Sequence, residues 1–434
     1  MSLSRRSFLA SSAAALWLPR AGLAASPAIL RAAPVTAQIL PEGDGVTEML
    51  GYNGSTPGPE LRYRQGDTLD LRFENAIGDG SAVHWHGIRI DNAMDGVPYL
   101  TQTMVEDGES FDYRFSLPDA GTYWYHSHNR SWEQVARGLY GPLIIEEANP
   151  PAVDHDITVI VDDWRIERTG EMIEDFGSRH DFSHAGRLGS FARIIASVDQ
   201  VRRGDRVRLR LINTATARIF PLELSGIEGK IVALDGMGLA TPAQIGRLMI
   251  APAQRVDILA HVTDTIAFTF PTRGEPYPMG EIKADGDNPT PITEPIPALP
   301  AADVPRPAAE PNQTATLTLQ GGAMGGRHAG DDIWALNGIS NLPDAPWRSF
   351  KRGETVRLSL VNETAFPHGI HLHGHHFHEV LDDGSLGPLR DTSLVMREQR
   401  RDIVCVFDNP GKWLLHCHML GHQAAGMKTW VEVV

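Results

Sequence analysis

A chain of 434 residues exceeds one ordinary core and points to about two to four domains. Its 42% hydrophobic and 21% charged residues suit a folded globular chain and exclude a disordered one. A formal net charge of −15 excludes the broad basic face that nucleic acid requires.

The N-terminus reads as a targeting segment. In "SRRSFLA" (4–10) paired Arg5 and Arg6 precede an apolar run ending at Leu18, and small residues follow near Ala24 and Ala25. That layout fits a twin-arginine export signal over residues 1–25 and a periplasmic mature protein. No other segment approaches the ~20 apolar residues of a membrane span.

Further along, one strand pattern recurs. "RQGDTLDLRFENA" (64–76), "RRGDRVRLRLINTA" (202–215) and "KRGETVRLSLVNETA" (351–365) each place a basic residue and a Gly-acid turn before an alternating run that ends near Asn. Turn-forming Gly followed by period-2 alternation predicts a half-buried strand. Three copies spaced by roughly 140 residues predict three related β domains, over 34–149, 152–288 and 312–434. "EEANPPAVDHD" (146–156) marks the first seam, and a Pro-rich linker with eight prolines (289–311) marks the second. Short β-branched runs such as "DITVIVDDW" (156–164), "TATLTLQ" (314–320) and "RDIVCVF" (401–407) extend the pattern, with one short helix expected near Trp132 to Arg137. The expected fold is all-β, built of three Greek-key β-sandwiches.

Most of the 18 histidines fall in four clusters: "HWHG" (84–87), "HSH" (126–128), "HGIHLHGHHFH" (368–378) and "HCHMLGH" (416–422). A single His-X-His is weak evidence for a metal. On a strand, however, residues i and i+2 share a face, so each pair offers two imidazoles to one side. Four pairs from two domains can converge on one interdomain site, with more nitrogens than the about four to six ligands of one ion. A multinuclear cluster follows. The segment "HCHMLGHQAAGM" (416–427) adds a second site. With His416 and His418 facing the cluster, Cys417 must point the other way, toward His422, Met427 and His368. Two imidazoles, a thiolate and a weak thioether describe a blue-copper electron-transfer centre.

These motifs, with "YNGSTPGPELRYRQGD" (52–67), "GTYWYHSH" (121–128), "GLYGPLIIEE" (138–147) and "PGKWLLHCH" (410–418), resemble the bacterial, three-domain, laccase-like multicopper oxidases. The resemblance spans essentially the whole mature chain and fills the family's ligand positions in order. It implies three cupredoxin domains and four copper ions. Type 1 copper would bind His368, Cys417, His422 and axial Met427, the methionine implying a modest potential. Type 2 would bind His84 and His371; the type 3 pair would bind His86, His126, His128, His373, His416 and His418. The implied reaction is one-electron oxidation of a small-molecule donor at type 1 copper, with dioxygen reduced to water at the trinuclear cluster. Electrons would pass through Cys417. Many relatives carry Glu just before the second type 1 histidine, where this chain has Gly421, and a proton-relay acid where this chain has Asp95.

Other readings remain at this point. Asp95 in "NAMDGVP" also fits an ordinary turn residue. A turn at "DNPG" (408–411) is expected to join "RDIVCVF" and "KWLLHCH" in a hairpin whose register keeps Cys405 and Cys417 apart, leaving Cys405 a buried strand residue and no disulfide. His375, His376 and His378 are expected to support or pack rather than ligate, as are His155, His180, His184, His261 and His328. The 12 methionines are dispersed, which disfavours a dedicated cuprous oxidase and favours a phenolic or other organic donor. The alternative is a periplasmic copper-binding or metal-oxidising copper-tolerance protein. A monomer with no nucleic-acid partner is expected.

Overall fold

The three recurring segments are strands with one shared environment. In the computed structural model, which describes residues 27–324 and 328–434, they form Thr68–Asn75, Arg206–Asn213 and Glu354–Asn362. Each pairs in parallel with an earlier strand (Ala28–Ala37, His155–Trp164 and Gln313–Gly321) and antiparallel with a later one (Ser110–Ser116, Arg255–Phe270 and Arg400–Phe407). Period-2 patterning thus built one local topology three times. The export signal lies outside the described residues.

About 51% of the described residues are strand and 4% helix, which makes the fold all-β. Residues 28–146 form two four-stranded sheets, and 313–433 a six-stranded and a five-stranded sheet. Between them a nine-stranded system uses the long strands Phe220–Leu234 and Arg255–Phe270, whose register shifts bend each past several partners. Among the described residues three short α-helices complete it: α1 (Ser131–Gln134), overlapping the region expected to be helical, α2 (Arg179–Ser183) and α3 (Leu420–Ala424).

Two expectations need correction. Arg400–Phe407 and Gly411–Cys417 are not a hairpin: the first lies in the six-stranded sheet of its sandwich and the second in the five-stranded sheet. Burial is the reason, because Ile403, Cys405 and Phe407 close on the same core as Trp413, Leu415 and Cys417, and side-by-side strands in one layer cannot enclose that core. Both cysteines are free and buried. The strand Arg206–Asn213 is buried on both faces, not half-exposed. Its arginines are accommodated by pairing: Arg208 with Asp257 (2.7 Å) and Glu147 (2.9 Å), Arg210 with Asp156 (2.6 Å).

Gly374, directly after His373, has φ +67° and its Cα abuts the Trp413 indole; a Cβ there would lie 2.3 Å from the ring. We expect Gly374→Ala to cost about 1–3 kcal/mol, read as a lower urea midpoint for unfolding. An unchanged midpoint would refute the close approach.

Candidate metal centre

Register places the histidines. In the first sandwich His84 pairs across from His126 on strands Val83–His86 and Gly121–Ser127. In the third, His371 faces His416 and Ile370 faces Cys417, on strands His368–Leu372 and Gly411–Cys417. Their ligand atoms gather into compact groups within 4.8 Å: His84, His86 and His371; His86, His126 and His418; His128, His373 and His416; and, separately, His368, Cys417 and His422. The first three groups join the first and third sandwiches. Cys417 sits apart from its two neighbours, as pleating requires. Met427 is buried, and its backbone is tied to Cys417 N–H (3.1 Å) and His422 O (3.0 Å).

For most of the rings a hydrogen bond on one nitrogen fixes which nitrogen is free; His418 is buried with neither nitrogen partnered. Nδ1–H of His84 donates to Asp95 O at 2.7 Å, that of His371 to Asp391 O at 2.8 Å and that of His126 to Ser127 O at 2.9 Å. The Nε2 atoms of these three rings are buried without a partner. His86 is turned over: Nε2–H donates to Asp391 Oδ1 at 3.1 Å and Nδ1 has no partner. At the cysteine site, His422 Nε2–H donates to His184 O (2.6 Å) and His368 Nε2–H to Thr364 Oγ1 (2.8 Å). The two Nδ1 lone pairs then face each other at 3.0 Å, with Cys417 Sγ 3.5 Å from His368 Nδ1 and 3.8 Å from His422 Nδ1. His373 and His416 likewise oppose Nε2 atoms at 3.0 Å, their Nδ1 protons being committed to Asp95 and Cys417 O. Opposed lone pairs repel unless a cation lies between them. Ligands about 2 Å from one ion have such a separation.

Burial keeps the rings neutral. His416 is pushed down to about 3 and His422 to about 4, in both cases mainly by desolvation. His86, His126, His128, His371, His373 and His418 fall well below the ordinary value through burial and then neighbouring rings. The Cys417 thiol is raised to about 12 by burial, so only a bound cation makes it a thiolate.

Asp95 is fully buried, its carboxylate 3.0 Å from His373 Nδ1 and 3.3 Å from His84 Nδ1. A Cβ on Gly421 would lie 3.2 Å from the Phe182 ring, so glycine leaves room for α2. His375 donates to His373 O (3.2 Å), His378 to Gly387 O (2.8 Å), and His376 lies 3.8 Å from Asp391, all outside the four groups. His155 pairs with Asp205, His261 with Arg206, and His328 with Ile333 O. His180 and His184 stack on one another at 4.0 Å. Sequence reasoning missed Asp391, which holds both His86 and His371. It lies in "PLRDTS" with no neighbouring histidine, and nothing local signals its role.

A buried site of one cysteine and two histidines, one residue from a cluster of eight imidazoles, defines a multinuclear copper protein built on β-sandwiches. Models described as "Multicopper oxidase" match residues 35–150, 185–285 and 309–434. The multicopper oxidase MmcO of Mycobacterium tuberculosis is 30% identical, over 92% of this chain and 87% of that protein. Copper resistance protein A of Pseudomonas syringae pv. tomato is 24% identical over 88% and 89%. The crystal structure of Lac15 from a marine microbial metagenome superposes with a TM-score of 0.82 at 57% identity, covering 94% of this chain and all of that one. The chain belongs to the multicopper oxidase family, with the cupredoxin-like fold and the copper- and dioxygen-dependent oxidoreductase activity of that family.

Histidines neutral in the fold protonate near pH 6.5 once unfolded. The unfolded state therefore binds more protons below that pH, and stability is lost as pH falls from about 6.5 toward the folded values of about 3 to 4. Copper-free protein should show a thermal midpoint that drops steeply between pH 7 and pH 4, followed by circular dichroism. A flat profile would contradict the burial of neutral rings.

Proposed function

We propose that the protein is a laccase-type oxidase of the periplasm that takes electrons from phenolic or similar small organic donors. The ligand groups fit four copper ions: one at His368, Cys417, His422 and Met427; one at His84 and His371; and a pair at His86, His126, His418 and His128, His373, His416. The unpartnered buried nitrogens and the opposed lone pairs support this fit. When bound, copper supplies one-electron oxidation at the cysteine site and reduction of dioxygen to water at the histidine cluster. The domains proposed for this work are 34–149 and 312–434, with 152–288 supplying no ligand.

The chain's own groups account for the rest. Cys417 is covalently continuous with His416 and His418, so an electron reaching its sulfur has a through-bond route to both halves of the cluster. Asp95 holds the His373 Nδ1 proton and is the acid best placed to pass protons toward the cluster. His422 is fully buried, and its outward Nε2–H is capped by the His184 carbonyl. Beside this cap a pocket of about 180 Å³, lined mainly by apolar residues such as Leu188, Ile219, Pro367 and Met419 but also by Arg218, has room for a single aromatic ring. That pocket is the observation that carries the organic-donor reading. Likeness to copper resistance protein A favours metal oxidation in copper tolerance as the second reading.

Purified protein loaded with copper should bind four ions per chain and consume dioxygen faster with phenols than with cuprous or ferrous ions. The reverse order would favour the second reading. Cys417→Ser should abolish the blue absorption and donor oxidation while three coppers remain bound; a variant that stays blue would end the assignment of this cysteine.

A further inference from the structure

Arg255 belongs to the middle sandwich, which contributes no member of the four ligand groups. Its guanidinium is nevertheless fully buried and touches all three sandwiches. Nη2 and Nη1 donate to the two carboxylate oxygens of Asp391 at 2.6 and 3.0 Å. Nε donates to Thr122 O at 3.0 Å, and Nη1 also to Ala253 O at 2.9 Å. Asp235 stands 3.9 Å away and accepts from Arg255 N–H at 2.9 Å.

The held residue addresses two rings, one through its carboxylate and one through its backbone. Asp391 Oδ1 accepts from His86 Nε2–H, and the backbone oxygen of the same residue accepts from His371 Nδ1–H. Thr392 Oγ1 donates to Asp391 Oδ1 at 2.8 Å, and Gln254, next to Arg255, donates to Thr392 O at 2.9 Å. Unlike His84, His126 and His371, His86 leaves Nδ1 free, and Asp391 is what occupies its Nε2. Gly87 records the same constraint in the sequence. With φ +87°, a Cβ there would fall 2.5 Å from Arg255 Nη2 and 2.6 Å from Asp391 Oδ2. The ion pair is packed against the backbone of "HWHG" itself.

We propose that Arg255 is a positioning residue of the histidine cluster: it clamps both oxygens of Asp391 so that His86 presents Nδ1, beside the Nε2 of His371, to the cluster. A planar guanidinium fixes a carboxylate's rotation, which a point charge does not. Without the fork, the Asp391 carboxylate is free to turn and His86 loses its fixed orientation, while His371 keeps its bond to the Asp391 backbone oxygen. The middle sandwich thus acts on the copper cluster without ligating it. This rests on the copper-ligand reading above.

Wild type, Arg255→Met, Arg255→Lys and Asp391→Asn are loaded with copper and challenged with a graded series of chelator. Copper per chain, the type 2 paramagnetic resonance signal and the blue absorption are followed together. In the Met and Asn variants cluster copper should be released at about 10–100-fold lower chelator, with the blue site unchanged. Lys, which restores the charge but not the fork, should fall between Met and wild type. The proposal is overturned if cluster copper is held as tightly as in wild type, or if blue copper is lost in parallel, the mark of a merely structural ion pair. Should Arg255→Met fail to fold, Arg255→Lys and Asp391→Asn give the same decision. A wild-type chain lacking either signal would remove the ligand reading itself and this proposal with it, a result visible before any substitution.

Discussion

Neighbouring side chains on a pleated strand leave it on opposite faces, and the end of Gly411–Cys417 is built around that constraint. His416 and Cys417 diverge there, and His418 follows His416 to the cluster side. The adjacent strand repeats the division, because His368 and His371 are an odd number of residues apart and serve different groups. Register must therefore hold to the residue, with His371 opposite His416 and Ile370 opposite Cys417. A slip of one position would exchange the sulfur and the rings between faces. The Trp413 ring against Gly374, and the hydrogen bond from His373 N–H to Leu414 O (3.0 Å), pin the strands at that register.

Gathering neutral imidazoles in a dry seam is costly for the empty fold. His84, His86, His126, His371, His373 and His416 each give up solvent on one nitrogen and find a carbonyl or carboxylate on the other, while His418 has no partner on either. That partial satisfaction aims the free lone pairs and leaves a cation as the natural remaining partner. The buried arginines of the middle sandwich work by the same logic. Arg208 and Arg210 are matched to Asp257, Glu147 and Asp156 near the first sandwich. Arg255 is matched to Asp391 in the third.

Much of the fold was legible because period-2 patterning, turn glycines and paired histidines are local signals. The three repeated strands and the His-X-His pairs each carry their information within a dozen residues. What escaped depends on distance. The corner at Asp408 to Gly411 looked like a hairpin because turn chemistry does not say whether the next strand joins the same layer or the opposite one. Nor does the sequence show that Phe182, far away along the chain, packs over Gly421. Asp391 and Arg255 sit in unremarkable strand segments, and only the meeting of three sandwiches gives them a task.

The cap on His422 has a consequence for how the protein meets its surroundings. A donor approaching this side encounters the peptide plane of His184 before it can reach the imidazole. The ring is thus reached only through that amide, whose placement sets the distance an electron must cross and ties the loop after α2 to the orientation of the imidazole.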